Sequence, residues 1–101
     1  MKTVALADDL MDRSRLSGAI EGITFARGAG GCAGADLVIV DLTRYASTVT
    51  ALRAAAPNAR IVAFGPHVED ATLAQAADDG ADAVFPRSLF FRDPAAAVTE
   101  K

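Results

Sequence analysis

The residues of this chain whose types and places suit chemistry are Asp8, Asp9, Asp41 and Arg87. Asp8 and Asp9 close a short apolar run from Thr3 to Ala7. Asp41 closes the run Leu37-Val38-Ile39-Val40, and Arg87 follows the segment that ends at Phe85-Pro86. Each run reads as a strand, so each charged group stands at a strand's C-terminal end. Carboxylates brought close together repel and raise one another's pKa. A divalent cation relieves that repulsion, and hard oxygen ligands suit Mg²⁺ or Ca²⁺. Arg87 offers a second way to neutralise the acids, a forked pairing with Asp41 that would lock the pocket.

Other candidates carry less. His67, the single histidine, follows Gly65-Pro66, and nothing nearby would orient it as a base or ligand. Cys32 lies in a glycine-rich stretch without an obvious base, so neither redox nor nucleophilic chemistry is indicated. Gly28-Ala29-Gly30-Gly31 is similar to a phosphate-binding loop, but a strand rather than a good helix follows it. Leu89-Phe90-Phe91 would either cover the core or face a partner, and we expect an interaction surface there.

The elements that must position the acids follow from pattern. Asp36 to Leu42 is apolar between two aspartates, with three β-branched residues in the run. Its lack of alternation predicts a strand buried on both faces, as in the middle of a parallel sheet. Thr3–Ala7, a weak Ile23–Ala26, Arg60–Phe64 and Asp82–Phe85 supply four more strands. Leu10 to Gly22 predicts a helix with Leu10, Leu16, Ala19 and Ile20 on its inner face and Asp9 as a cap. Four glycines between Arg27 and Ala35 argue against a second full helix, so one turn or a loop is expected there. Helices are expected over Ala46–Ala56, with Val49, Leu52 and Arg53 toward the sheet, and over Ala71–Asp79, capped by Asp70 and closed by Gly80. Asp93-Pro94 predicts a last helix to about Glu100. Right-handed crossovers leave few topologies, of which 2-1-3-4-5 is common at this size. That order sets strands one and three side by side and brings Asp8, Asp9 and Asp41 together at the edge where open α/β sheets bind ligands.

The totals set bounds. The chain has 101 residues, enough for one domain and too few for two. Hydrophobic residues make up 51% and charged residues 23%, which fits an ordered core. The ten Lys and Arg are scattered and the net charge is −3, so no nucleic-acid footprint is present. One cysteine excludes an intrachain disulfide. The first residues turn acidic too soon for a signal peptide, no run approaches membrane-spanning length, and the cytoplasm is the expected compartment.

Asp8-Asp9 after strand one, Asp41 after strand three, a cation after strand five and Gly80-Ala81-Asp82 before it resemble the receiver domain of bacterial response regulators. The resemblance covers nearly the whole chain. It implies a flavodoxin-like α/β three-layer sandwich, residues 1–101 forming a single receiver-like domain, and the second helix, expected from the glycines to be shortened or absent, departs from it. It implies Asp8, Asp9 and Asp41 as Mg²⁺ ligands, and Asp41 as acceptor of a phosphoryl group from a histidine kinase. The sequence also departs from that family. Gly65 stands where the family places Ser or Thr, Arg87 where it places Lys, and Ser88 where it places Pro. The Met-Pro and Asp-Gly signals after the acceptor are missing from Leu42-Thr43-Arg44-Tyr45. The expected function is therefore a stand-alone, atypical or pseudo-receiver in two-component signalling or a phosphorelay, working through a partner protein. Thin cover over the sheet beside Leu89, Phe90 and Phe91 predicts a homodimer. The alternatives are a small enzyme or ligand-binding protein on the same fold, and an interaction domain with an inactive pocket.

Overall fold

Alternate residues of the central strands bury into opposite layers, and this organises the whole molecule. The computed structural model describes residues 1–66 and 70–99. Its sheet has five parallel strands, β1 (Thr3–Leu6), β2 (Thr24–Phe25), β3 (Leu37–Asp41), β4 (Arg60–Gly65) and β5 (Ala83–Pro86). They lie side by side in the order β2-β1-β3-β4-β5, as the crossover rules predict. Every residue of β1 and β3 is buried. Val4, Leu6, Val38, Val40, Ile61 and Ala63 face one layer; Ala5, Ile39, Val62 and Phe64 face the other.

The first layer holds α2 (Leu42–Tyr45), α3 (Val49–Ala55) and α4 (Asp70–Asp79), packing Leu42, Val49, Leu52 and Ala76 on the sheet. A single 3₁₀ turn, Ala29–Cys32, stands where a second long helix would lie. Cys32 is buried there, where burial pushes its thiol pKa up, so it acts as a small core residue. The opposite layer holds α1 (Leu10–Ala19), α5 (Arg87–Arg92) and α6 (Pro94–Thr99). Leu16, Ile20, Phe90, Ala97 and Val98 close its core.

Several expectations change. Helix α2 starts directly after β3, because Asp41 caps it by accepting from the Thr43 N–H at 3.0 Å. The segment expected to begin a helix at Ala46 is instead a 3₁₀ turn, Ala46–Thr48, leading into α3. Leu10 does not face the core: it is 80% exposed, because α1 turns its inward face through Asp12 and Leu16. Phe90 is not an interaction surface. It is fully buried, stacked on Phe64 with ring centroids 4.8 Å apart, and Phe91 meets Phe64 edge-on at 5.0 Å. Of that trio only Leu89 is exposed. The bare sheet surface from which a homodimer was expected is covered by α5 and α6. Asp93 does cap α6, accepting from the Ala96 N–H at 3.2 Å. His67, the capping role of Asp70's side chain and the helix end at Glu100 fall outside what the structure describes.

Candidate functional site

Parallel pairing puts the ends of β1 and β3 level, with Leu6 beside Val40. β4 and β5 end level too, with Gly65 beside Pro86. The residues that follow these ends therefore meet at one edge. They line a pocket of about 280 Å³ formed by Asp8, Asp9, Asp12, Asp41, Thr43, Arg44 and Arg87. The four residues singled out from the sequence, Asp8, Asp9, Asp41 and Arg87, are all in it.

Each acid is fixed differently. Asp8 accepts a 2.6 Å hydrogen bond from the Tyr45 hydroxyl, which raises the tyrosine's pKa. Asp9 caps α1, accepting from the Asp12 N–H at 3.0 Å. The Ala7 carbonyl between strand and acids accepts from Arg13 Nε at 2.7 Å. Asp41 is only 4% exposed, and its pKa is raised. Burial is the main cause. The Thr43 hydrogen bonds and the Arg87 charge pull the other way, and the nearby Asp12 charge adds slightly to the rise. Desolvation thus dominates, where mutual repulsion of Asp8, Asp9 and Asp41 was expected.

Arg87 is paired, but not with Asp41. Its Nη2 donates to Asp12 Oδ1 in an ion pair, and this bond above all raises the Arg87 pKa. The guanidinium also lies over two rings, 4.9 Å from the centre of Phe91 and 5.6 Å from that of Phe64. Asp12 itself is 1% exposed, and among the described residues its Oδ2 has no hydrogen-bond partner. Asp12 is not among the residues that the sequence singles out. The signal that finds it is its spacing: four residues before buried Leu16, it shares that residue's inward face.

The donors suit a hard cation in kind, and four carboxylates face only two guanidiniums. Among the described residues no three acid, histidine or cysteine side chains are gathered into a metal ligand set. Gly65 is sterically confined: a Cβ there would lie 3.3 Å from both Leu42 Cβ and Leu73 Cδ2.

No protein-family profile matches the chain, and no curated protein matches it in sequence. Solved structures do match. One is a response regulator protein from Burkholderia pseudomallei, crystallised with a phosphorylated aspartic acid, a calcium ion and citrate. It is 22% identical with a TM-score of 0.80 over 96% of this chain, which spans only 65% of that one. A response regulator receiver domain protein from Clostridium thermocellum is 15% identical, with a TM-score of 0.78 over 97% of this chain and 90% of its own. A CheY-like protein, TadZ, from Pseudomonas aeruginosa is 17% identical, with a TM-score of 0.69 over 87% of each chain. The chain has the five-stranded, doubly wound fold of response-regulator receiver domains.

Proposed function

We propose that residues 1–101 act as one atypical receiver-like signalling domain, working by contact with a partner protein, with Asp41 as its phosphoryl acceptor. The observation that carries this reading is the convergence of Asp8, Asp9, Asp41 and Arg87 on one pocket at the C-terminal edge of the sheet. In the transfer, an Asp41 carboxylate oxygen bonds to the phosphorus of a phosphohistidine or acyl phosphate. The donor's P–N or P–O bond breaks, and the leaving group keeps its electron pair. Mg²⁺ would neutralise the phosphoryl oxygens if Asp8, Asp9 and Asp41, which are not gathered into a ligand set in the structure, closed on it. Arg87 is the protein's own cation for those oxygens, with forked donors where lysine has a point charge.

Gly65 has no side chain with which the end of β4 could follow the phosphoryl group, so the usual hydroxyl-driven switch is absent. The partner is a histidine kinase or an output protein in the cytoplasm, not a nucleic acid. Leu89, 47% exposed in a groove with Phe85, is the apolar edge open to it or to a second copy in a homodimer. Incubation with acetyl phosphate and MgCl₂, followed by intact-mass measurement, tests the acceptor. One phosphoryl adduct that disappears in Asp41→Asn is expected; its absence from the wild type overturns the reading. Light scattering at micromolar concentration is expected to give twice the 10.4 kDa chain mass, and a 10.4 kDa particle alone would count against pairing.

A further inference from the structure

We propose that Asp12 is a positioning residue that holds Arg87 away from Asp41, so that Arg87 must exchange the Asp12 carboxylate for the phosphoryl group on the acceptor. The proposal rests on Asp41 being that acceptor. Two buried carboxylates, Asp12 and Asp41, line one pocket with the Arg87 guanidinium. The hydrogen bond goes to Asp12, and Asp41 feels Arg87 only as a nearby charge. Asp12 depends on that cation. It is buried, and its other oxygen has no partner among the described residues. Releasing Arg87 strands that charge in a poor solvent.

Arg87 is held in register for this by the faces of Phe64 and Phe91. Its exposed flank leaves it able to turn, since the side chain is 39% accessible against 2% for that of Asp12. A phosphoryl group, with about two negative charges at neutral pH, outbids a single carboxylate for the guanidinium. The resting contact therefore lowers the apparent affinity of the acceptor site by the fraction of time Arg87 is withheld. Neutralising Asp12 removes that handicap.

The test titrates beryllofluoride with MgCl₂ into the wild type, Asp12→Asn and Asp12→Asn/Arg87→Gln, reading affinity from amide NMR shifts. Asp12→Asn is expected to bind on the order of tenfold more tightly than the wild type, and the gain is expected to vanish in the double variant. A merely structural role for Asp12 would not make its gain depend on Arg87. The Arg87 Nε–H signal of the wild type gives a second readout that needs no variant to fold: it should move on saturation, as the guanidinium leaves Asp12. Wild-type binding with no gain in Asp12→Asn, or with a stationary Arg87 signal, overturns the positioning role and leaves the acceptor reading standing. No binding to any of the three proteins overturns both.

Discussion

Removing either half of the Asp12–Arg87 pair leaves the other half in a different solvent. Arg87→Met strands a carboxylate that is 1% exposed, at an expected cost of about 3 kcal/mol. Asp12→Asn leaves a guanidinium that can turn toward water, so the expected cost is about 1 kcal/mol. Urea midpoints should fall in that order, and equal losses would contradict it. Asp41 behaves in the opposite sense, because burial raises its pKa in the folded state. The folded protein then binds that proton more tightly than the unfolded chain. The stability this gives is full below the ordinary carboxylate range and is lost as pH rises through the folded pKa. Asp41→Asn is therefore expected to raise the denaturation midpoint at neutral pH, with the gain shrinking in acid. A sharp drop at neutral pH would place Arg87 on Asp41 after all. The three acids at strand ends were legible in the sequence, because each follows an unbroken apolar run. Asp12 was not, because a charge in a helix of mixed polarity reads as solvated until Leu16 fixes which face is inward.

Helix α5 was the least legible element. Pro86 ends β5, and the helix begins at once with no side-chain cap, so no start signal marks it. The aromatics of α5 then looked like surface, although Phe90 fills the space over Phe64. Phe90→Ala is expected to cost about 3 to 5 kcal/mol, which calorimetry or urea unfolding would show; a loss under about 1 kcal/mol would restore the surface reading. Helix α3 is tied to the sheet by Arg53. Its guanidinium donates to the Pro57, Ala59 and Gly80 carbonyls and to Asp82. Asp82 also accepts from the Ile61 N–H at 2.8 Å. Burial alone would raise the Asp82 pKa, but the Ile61 and Arg53 contacts outweigh it and hold it low. Its stabilisation is present above the ordinary carboxylate pKa and is lost as pH falls through the folded value. Asp82→Asn should therefore unfold more easily than the wild type at neutral pH, and the two midpoints should converge in acid. A gap that widens in acid would contradict this. Gly80 completes the joint: at φ +126°, a Cβ there would come within 3.0 Å of Arg53 Cβ.

At the scale of the molecule, the strand order was legible because apolar runs, crossover handedness and chain length together leave few arrangements. The two-layer cover was only partly legible: the glycine stretch did predict a missing helix, but α6 closing over Leu16 and Phe90 depends on packing that no local pattern shows. Under the proposed receiver role, the same architecture limits how a signal would travel. The end of β4 carries Gly65, whose missing side chain is replaced in space by Leu42 and Leu73, so nothing at that position can reach for a phosphoryl oxygen. A ligand shifts a conformational equilibrium only through contacts that differ between its states. In the proposed exchange the differing contact is Arg87, which pairs with Asp12 and lines the same pocket as Asp41. The most direct measurement is the map of amide NMR shifts on saturation with beryllofluoride and Mg²⁺. Changes are expected at Asp9, Asp12, Asp41 and Arg87, with α4 undisturbed; shifts spreading from Gly65 along α4 and into β5, or no shifts anywhere, would contradict the Arg87 exchange.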